Sequence, residues 1–223
     1  MPNISAETIT LYDLEQRFGL QRIEDAQFFP EWHENLPVLI QEEQQRLERV
    51  KAIYANLARR SVLENTVKMA IVSPLLDLSG FYLPPFYVNT EEQVQLVAED
   101  EGVPIRGRID VVVLLDQFWV LVIESKRGEF SLKVGIPQAL TYMLANPNRD
   151  RPLYGMVTNG SNFVFLKLVH QNKPYYARSK MLDLEESNEL YTALQVLKRL
   201  AEIITAEEYS SCHPPVLGDL DET

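Results

Sequence analysis

The sequence predicts a three-layer α/β/α or α+β domain: a mixed central sheet flanked by helices. Three observations carry that reading. Two helical segments with apolar stripes come early, at 41–59 and 61–80. The stretch "RIDVVVLLDQFWVLVIESK" (108–126) is dominated by Val, Ile, Leu, Phe and Trp, the composition of strands covered on both faces. A helix, more strands and a last helix then follow, and apolar helix stripes need a sheet to cover.

Residues 1–35 predict short helical pieces and turns, with Gly19 placed to end a helix in "DLEQRFGL". Ile40, Leu47, Val50, Tyr54 and Leu57 then recur at spacings of seven, three, four and three. That is one apolar stripe along an amphipathic helix over 41–59. The stripe predicts a packing face, with a partner or dimer interface as its other use. In "SVLENTVKMAIVSPLLDLSGFY", Ser61 is placed to cap a second helix, Gly80 to stop it and Pro74 to kink it. Val67, Ala70, Ile71, Leu75 and Leu78 line one face, and Glu64, seven residues before Ile71, joins them. A buried carboxylate is costly unless it is paired or bound to a cation.

Pro84 and Pro85 make "FYLPPFYVN" an irregular segment or an edge strand, and "VQLVAE" alternates weakly. "IRGRIDVVVLL" and "FWVLVIESK" form a hairpin around Asp116-Gln117. "IPQALTYMLANP" reads as a helix with Pro137 near its start. "LYGMVTNGSNFVFLKLVHQNKPYYARSKM" reads as three strands, the first two joined by an Asn159-Gly160 turn. Leu190, Leu194, Leu197 and Leu200 mark the last helix. The divisions are an N-terminal helical extension (1–60), the main domain (61–206) and a flexible acidic tail (207–223).

A chain of 223 residues suits one domain with additions, and 46% hydrophobic content suits an ordinary soluble core. The single cysteine, Cys212, excludes an internal disulfide framework and fits a reducing compartment. "MPNISAETIT" lacks a basic start and an apolar run, so no signal peptide is expected. No apolar run approaches the roughly 20 residues that span a bilayer, so no membrane partner is expected. The expected location is cytoplasmic. The net charge of −11 argues against a nucleic-acid binder. Its distribution argues otherwise. Residues 101–180 hold 11 Lys+Arg against 6 Asp+Glu, and the remainder holds 10 against 26. Charges screen over roughly 8 Å at physiological salt, so a basic cleft is compatible with an acidic exterior.

The hairpin carries Asp110 near its start and Glu124 and Lys126 at its end. With an unbroken ladder closed by Asp116-Gln117, Asp110 opposes Ile123, and Glu124 falls on the other face. One bulge, or a three-residue connection, puts Asp110 opposite Glu124 and Arg108 opposite Lys126. Directly opposed Cβ atoms are about 4.5–5.5 Å apart. Two carboxylates that close repel unless a cation joins them, and hard divalent cations take oxygen ligands. The bulged register is therefore the expected one. Lys126 shares a face with Glu124 and would reach a water or phosphate oxygen at that cation.

In this order, "GRID…IESK" resembles the core of the PD-(D/E)XK nucleases, without the Pro that often precedes the Asp. "QALTY" (Gln138 to Tyr142) is similar to the QxxxY motif of the RecB-like and type I restriction branches. "ENTVKMAIVSPLLDLSGFY" and "YGMVTNGSNFVFLKL" resemble the first helix and a later strand pair of type I restriction R-subunit N-terminal domains. The resemblance spans about residues 60–170. It implies a restriction-endonuclease-like core and hydrolysis of DNA phosphodiester bonds with Mg²⁺, for which Mn²⁺ can substitute. By it, Asp110, Glu124 and the carbonyl of Ser125 would ligate the metal, with Glu64 in support, and Lys126 would assist the nucleophilic water. Gln138 and Tyr142 would contact the DNA backbone or orient the site. Arg106, Arg108, Arg127 and Lys133 would attract phosphates. Double-stranded DNA is the expected substrate. A protein partner supplying specificity or motor activity, and a homodimer, fit the same resemblance.

No GxxxxGK[ST] loop, G-x-S-x-G elbow or zinc motif is present, and His33, His170 and His213 have no ligand spacing. Plainer readings pair Glu64 with Lys68 at i+4, and Asp110 with Lys126. The alternative function is a catalytically silent nucleic-acid-binding or protein-interaction module on the same fold. An RNA-directed or repair nuclease is a third, because the core motif does not name its polymer.

Overall fold

The computed structural model describes residues 4–97, 104–116, 118–128 and 131–212. The chain begins with β1 (Ile4–Ser5), a 3-10 turn (Ala6–Thr8) and α1 (Leu11–Phe18). Thr10 and Asp13 form a capping box at the start of α1, and Gly19 ends it at φ 65°. That left-handed conformation suits a residue without a Cβ. β2 (Gln21–Arg22) and two 3-10 turns lead to α2 (Gln41–Leu57). Leu47, Val50 and Tyr54 of its stripe are buried, while Ile40 sits at the N-cap and is exposed.

The next rod contains α3 (Glu64–Val67), a π-helical turn (Lys68–Val72) and α4 (Ser73–Leu78). Leu63, not Ser61, takes the N-cap position. Gly80 follows the rod at φ 85°. A π-helical turn, closed by the Ser73 N–H donating to the Lys68 carbonyl, stands just before Pro74, which has no N–H to give to an α-helical ladder.

The remaining elements are β3 (Phe86–Leu96), β4 (Ile105–Leu115), β5 (Phe118–Ser125), α5 (Leu132–Leu144), β6 (Leu153–Thr158), β7 (Asn162–His170), β8 (Pro174–Arg178), β9 (Leu182–Asp183) and α6 (Glu189–Cys212). "FYVN" and "VQL" thus belong to one long strand, β3, that starts immediately after Pro85. Pro137 lies inside α5, because Ser131 caps that helix well upstream of it. Asn159 and Gly160 begin a four-residue loop rather than a two-residue turn: Thr158 pairs with Phe163, and Asn162 N–H donates to Asn159 Oδ1 at 2.9 Å. α6 runs on through Cys212, into the segment read as a tail; residues 213–223 lie outside the described residues.

The strands form one mixed sheet in the order β1-β4-β5-β6-β7-β8-β2, with β3 on β4 and β9 on β7. β1-β4, β5-β6 and β2-β8 are parallel, and the other pairs are antiparallel. Helices cover both faces. α2, α3, α4 and α6 pack over Val111, Val113, Ile123, Met156 and Phe165. α1 and α5 pack over Ile109, Val112, Val122, Val157 and Leu166. Together these make the expected three layers.

The sheet leaves an opening along β4. β3 and β1 both pair with Ile105 and Arg106, and β3 and β5 both pair with residues 111–115. A strand has two edges, so β1 and β5 share the edge of β4 opposite β3. Between them, from Gly107 to Asp110, that edge has no strand among the described residues. The β3-β4 ladder also skips the pair Glu91–Asp110, and Glu91 there takes φ 61°. The buried faces change phase at that point: Ile109 packs under α5, Val111 under the opposite layer.

Candidate active site

The expected bulge is present, between Val113 and Leu114. Beyond it Val111 pairs with Ile123, so Asp110 and Glu124 come next on the two strands, where the ladder opens. Arg108 and Lys126 do not pair. The Lys126 N–H instead donates to the Thr158 carbonyl on β6, at 2.7 Å.

Glu64 reaches this gap from the other layer. The Gly128 N–H, just after β5, donates to the Val62 carbonyl at 3.1 Å. That contact stitches the start of α3 to the end of β5. Carboxylate oxygens of Glu64, Asp110 and Glu124 all lie within 4.8 Å of one another. Asp110 and Glu124 are buried, the latter to 1% exposure.

Each carboxylate has a different set of partners. Asp110 Oδ2 accepts from the Ser125 N–H and hydroxyl, both at 2.8 Å, and Oδ1 accepts from Lys68 Nζ at 3.1 Å. Glu124 Oε1 accepts from Lys126 Nζ at 2.7 Å. Glu124 Oε2 is buried and has no hydrogen-bond partner among the described residues. Lys126 Nζ also donates to Gln138 Oε1 at 2.7 Å, and Gln138 Nε2 to the Tyr142 hydroxyl at 2.8 Å. Gln138 and Tyr142 therefore lie on one face of α5, as their spacing predicts.

Crowded, buried carboxylates resist ionisation. Burial, then the Asp110 charge, push the Glu124 carboxyl up to about 8 against the pull of Lys126. Burial and Asp110 also raise Glu64, which Lys126 and Lys68 oppose. Burial and the Glu124 charge raise the Tyr142 hydroxyl, so it stays a neutral donor and acceptor. Burial disfavours the Lys68 ammonium, but its bonds to Glu91 and Asp110 outweigh this and raise it.

The donor set fits a hard divalent cation: three converging carboxylates, one with an orphaned buried oxygen. Ser125 adds a backbone group. Its N–H turns away from β6 to Asp110, and in a strand a residue's carbonyl points to the same side as its N–H.

These groups wall a cleft of about 340 Å³ together with Arg108, Arg127 and Glu7. It continues past Lys68, Glu91 and Asn65. Two of the predicted phosphate-binding residues, Arg108 and Arg127, line it. The other two do not: Arg106 Nε donates to Gln95 Oε1 at 3.2 Å on the outer strand pair, and Lys133 lies exposed in the first turn of α5. The simple ion pairs are replaced as well. Lys68 goes to Glu91 (2.7 Å) and Asp110 rather than Glu64, and Lys126 goes to Glu124 rather than Asp110.

Sequence reasoning missed Lys68 as a site residue, along with Glu91, Glu7 and two glycines. A Cβ on Gly107 would meet Tyr142 Cε1 at 2.6 Å. One on Gly135 would meet Val157 Cγ1 at 2.6 Å and the Lys126 stem at 3.5 Å. Both glycines let α5 close onto the sheet. The available signal was a glycine in a strand and one in a helix, each the mark of a close approach. Gly135→Ala is expected to lift α5 from β6 and cost about 1–3 kcal/mol, read by denaturant unfolding.

No protein-family model matches the chain, and no curated protein matches it. No helix among the described residues is long and apolar enough to cross a membrane.

Proposed function

We propose that this protein is a Mg²⁺-dependent nuclease of the PD-(D/E)XK type that hydrolyses DNA phosphodiester bonds. It would resemble the nuclease domain of type I restriction R subunits. The observation that carries the reading is the unpartnered Glu124 Oε2, buried among three converging carboxylates beside Lys126. Glu64, Asp110, Glu124 and the Ser125 carbonyl are the groups to hold the ion. Bound there, a divalent cation supplies Lewis acidity, lowering the cost of ionising water and offsetting charge on the phosphoryl oxygens.

The chain's own groups supply orientation. An ammonium has three N–H donors. Lys126 uses two, on Glu124 and Gln138, which aims the third at an oxygen in the cleft. That oxygen is the attacking water or a phosphoryl oxygen as its charge grows. Tyr142 holds Gln138, and Gln138 holds Lys126, so the QxxxY pair acts as a positioning relay. Arg108 and Arg127 attract the flanking phosphates. In the reaction water oxygen bonds to phosphorus, one P–O ester bond breaks, and the released oxygen takes a proton.

The test is cleavage of single- and double-stranded DNA and RNA with Mg²⁺, with Mn²⁺ and with chelator. Parent protein is expected to cut double-stranded DNA only with metal. Asp110→Ala, Glu124→Ala and Lys126→Ala are each expected to lose on the order of 10²–10⁴-fold. If all three variants cut like the parent, the reading is wrong. The net charge of −11 favours a second reading, a non-catalytic interaction module on the same fold. Absence of cutting on every polymer, by a folded protein that binds Mn²⁺, selects it.

A further inference from the structure

A fourth carboxylate and a second ammonium stand beside the three acids. Lys68 Nζ lies 2.7 Å from Glu91 Oε1 and 3.1 Å from Asp110 Oδ1, with its side chain 15% exposed. Two carboxylate oxygens facing one point is the arrangement that a hard cation uses. Here the point is held by an ammonium of this chain.

Several features of the fold fix that placement. Lys68 opens the π-helical turn between α3 and α4. Glu91 takes its left-handed backbone where the β3-β4 ladder skips a pair. A non-glycine residue in that region carries a conformational cost and persists only where its surroundings impose it. Glu91 is held further by Arg108, whose Nε lies 2.6 Å from its other oxygen. Asp110 is thus bound on both oxygens, by Lys68 and by Ser125, while Glu124 Oε2 stays unpartnered.

We propose that the Lys68 ammonium fills the place a second divalent cation would otherwise take between Asp110 and Glu91, so that the cleft binds a single ion. The inference rests on reading Glu64, Asp110 and Glu124 as a cation site. Lys68 is then a specificity residue for metal stoichiometry, and it keeps a fixed positive charge on the Asp110 side of the cleft whatever the metal concentration. The single ion would be held by the three converging carboxylates, among them the buried Glu124 Oε2. An ammonium matches one unit of charge and cannot be removed by chelation. A divalent ion between Asp110 and Glu91 would need Lys68 to swing out of its partly buried position.

Calorimetric titration of the full chain with Mn²⁺, counted independently by the paramagnetic signal of free Mn²⁺, tests this without any substrate. The parent is expected to bind one ion, Lys68→Gln to gain a second, and Lys68→Arg to keep one. The double variant Lys68→Gln/Glu91→Gln is expected to fall back to one, because the second ion then lacks a carboxylate. Thermal unfolding of each variant checks that it is folded. Should Lys68→Gln be unfolded, Lys68→Met takes its place with the same expected gain. A parent that binds two ions, or a folded Lys68→Gln that still binds one, overturns the proposal and leaves the cation site standing. A parent that binds none overturns the cation site, and this proposal with it.

Discussion

Glu124→Gln is expected to abolish tight divalent-cation binding and, without cations, to make the protein more stable than the parent at pH 8. Both effects follow from one buried carboxyl. Glu124 is 1% exposed, with one oxygen orphaned and two other carboxylates within reach. Burial and the Asp110 charge raise it from 4.5 to about 8. Between those values the unfolded chain releases this proton and the folded chain keeps it. Folded protein then binds more protons than unfolded, so stability falls as pH rises across the window. The loss is complete above pH 8 and absent below pH 4.5. Each tenfold difference in proton affinity between the two states is worth roughly 1.4 kcal/mol, so the loss amounts to a few kcal/mol.

A neutral amide of the same shape removes that contribution. Glu64, raised in the same direction, leaves a residual slope. A cation replaces the proton in the parent, so Mn²⁺ is expected to raise the melting temperature more at pH 8 than at pH 6. The variant is expected to show almost no Mn²⁺ effect on melting at either pH. A parent whose stability is flat from pH 4.5 to 8, or a variant that Mn²⁺ stabilises as much as the parent, would contradict this account of Glu124.

Gly107→Ala is expected to damage both the fold and the positioning of Lys126 while leaving the three carboxylates in place. The added Cβ would lie 2.6 Å from Tyr142 Cε1, 2.7 Å from its hydroxyl and 2.7 Å from Ala6 Cβ. Tyr142 is 1% exposed and Ala6 is equally buried, so neither has room to move. Overpacking of this kind costs about 1–3 kcal/mol, which in a chain of this size lowers the melting temperature by roughly 2–4 °C per kcal/mol. Displacing Tyr142 also loosens its bond to Gln138, and through it the hold on Lys126. The expected signature is slower cleavage with Mn²⁺ affinity nearly unchanged. A melting temperature equal to the parent's would show that β4 and α5 have room between them for a methyl group.

The parts of the fold legible in the sequence were those set by local periodicity. The α2 stripe shows in the spacing of Leu47, Val50 and Tyr54, and the hairpin shows in its two apolar runs. The bulge was legible only indirectly. Nothing in "VVVLL" marks Val113–Leu114 as its place; the need to bring Asp110 beside Glu124 did. Pro137 misled because proline favours a first turn, whereas α5 already starts at Leu132, behind the Ser131 cap. β1 and β2, two residues each, carry no period at all.

For the site, the residue types and their order were readable: an acid within one strand, an acid and a lysine at the end of the next, and Gln and Tyr four apart on a helix. Those follow from alternation along a strand and from the helical repeat, both properties of the chain itself. Which ammonium neutralises which carboxylate was not readable. Lys68 lies four residues from Glu64, and by sequence they pair. In the structure Lys68 turns to Glu91 and Asp110, the two residues that the β3-β4 ladder skips. Local sequence sets which side of an element a charge occupies. Its partner depends on where distant elements end, and only the packed sheet decides that.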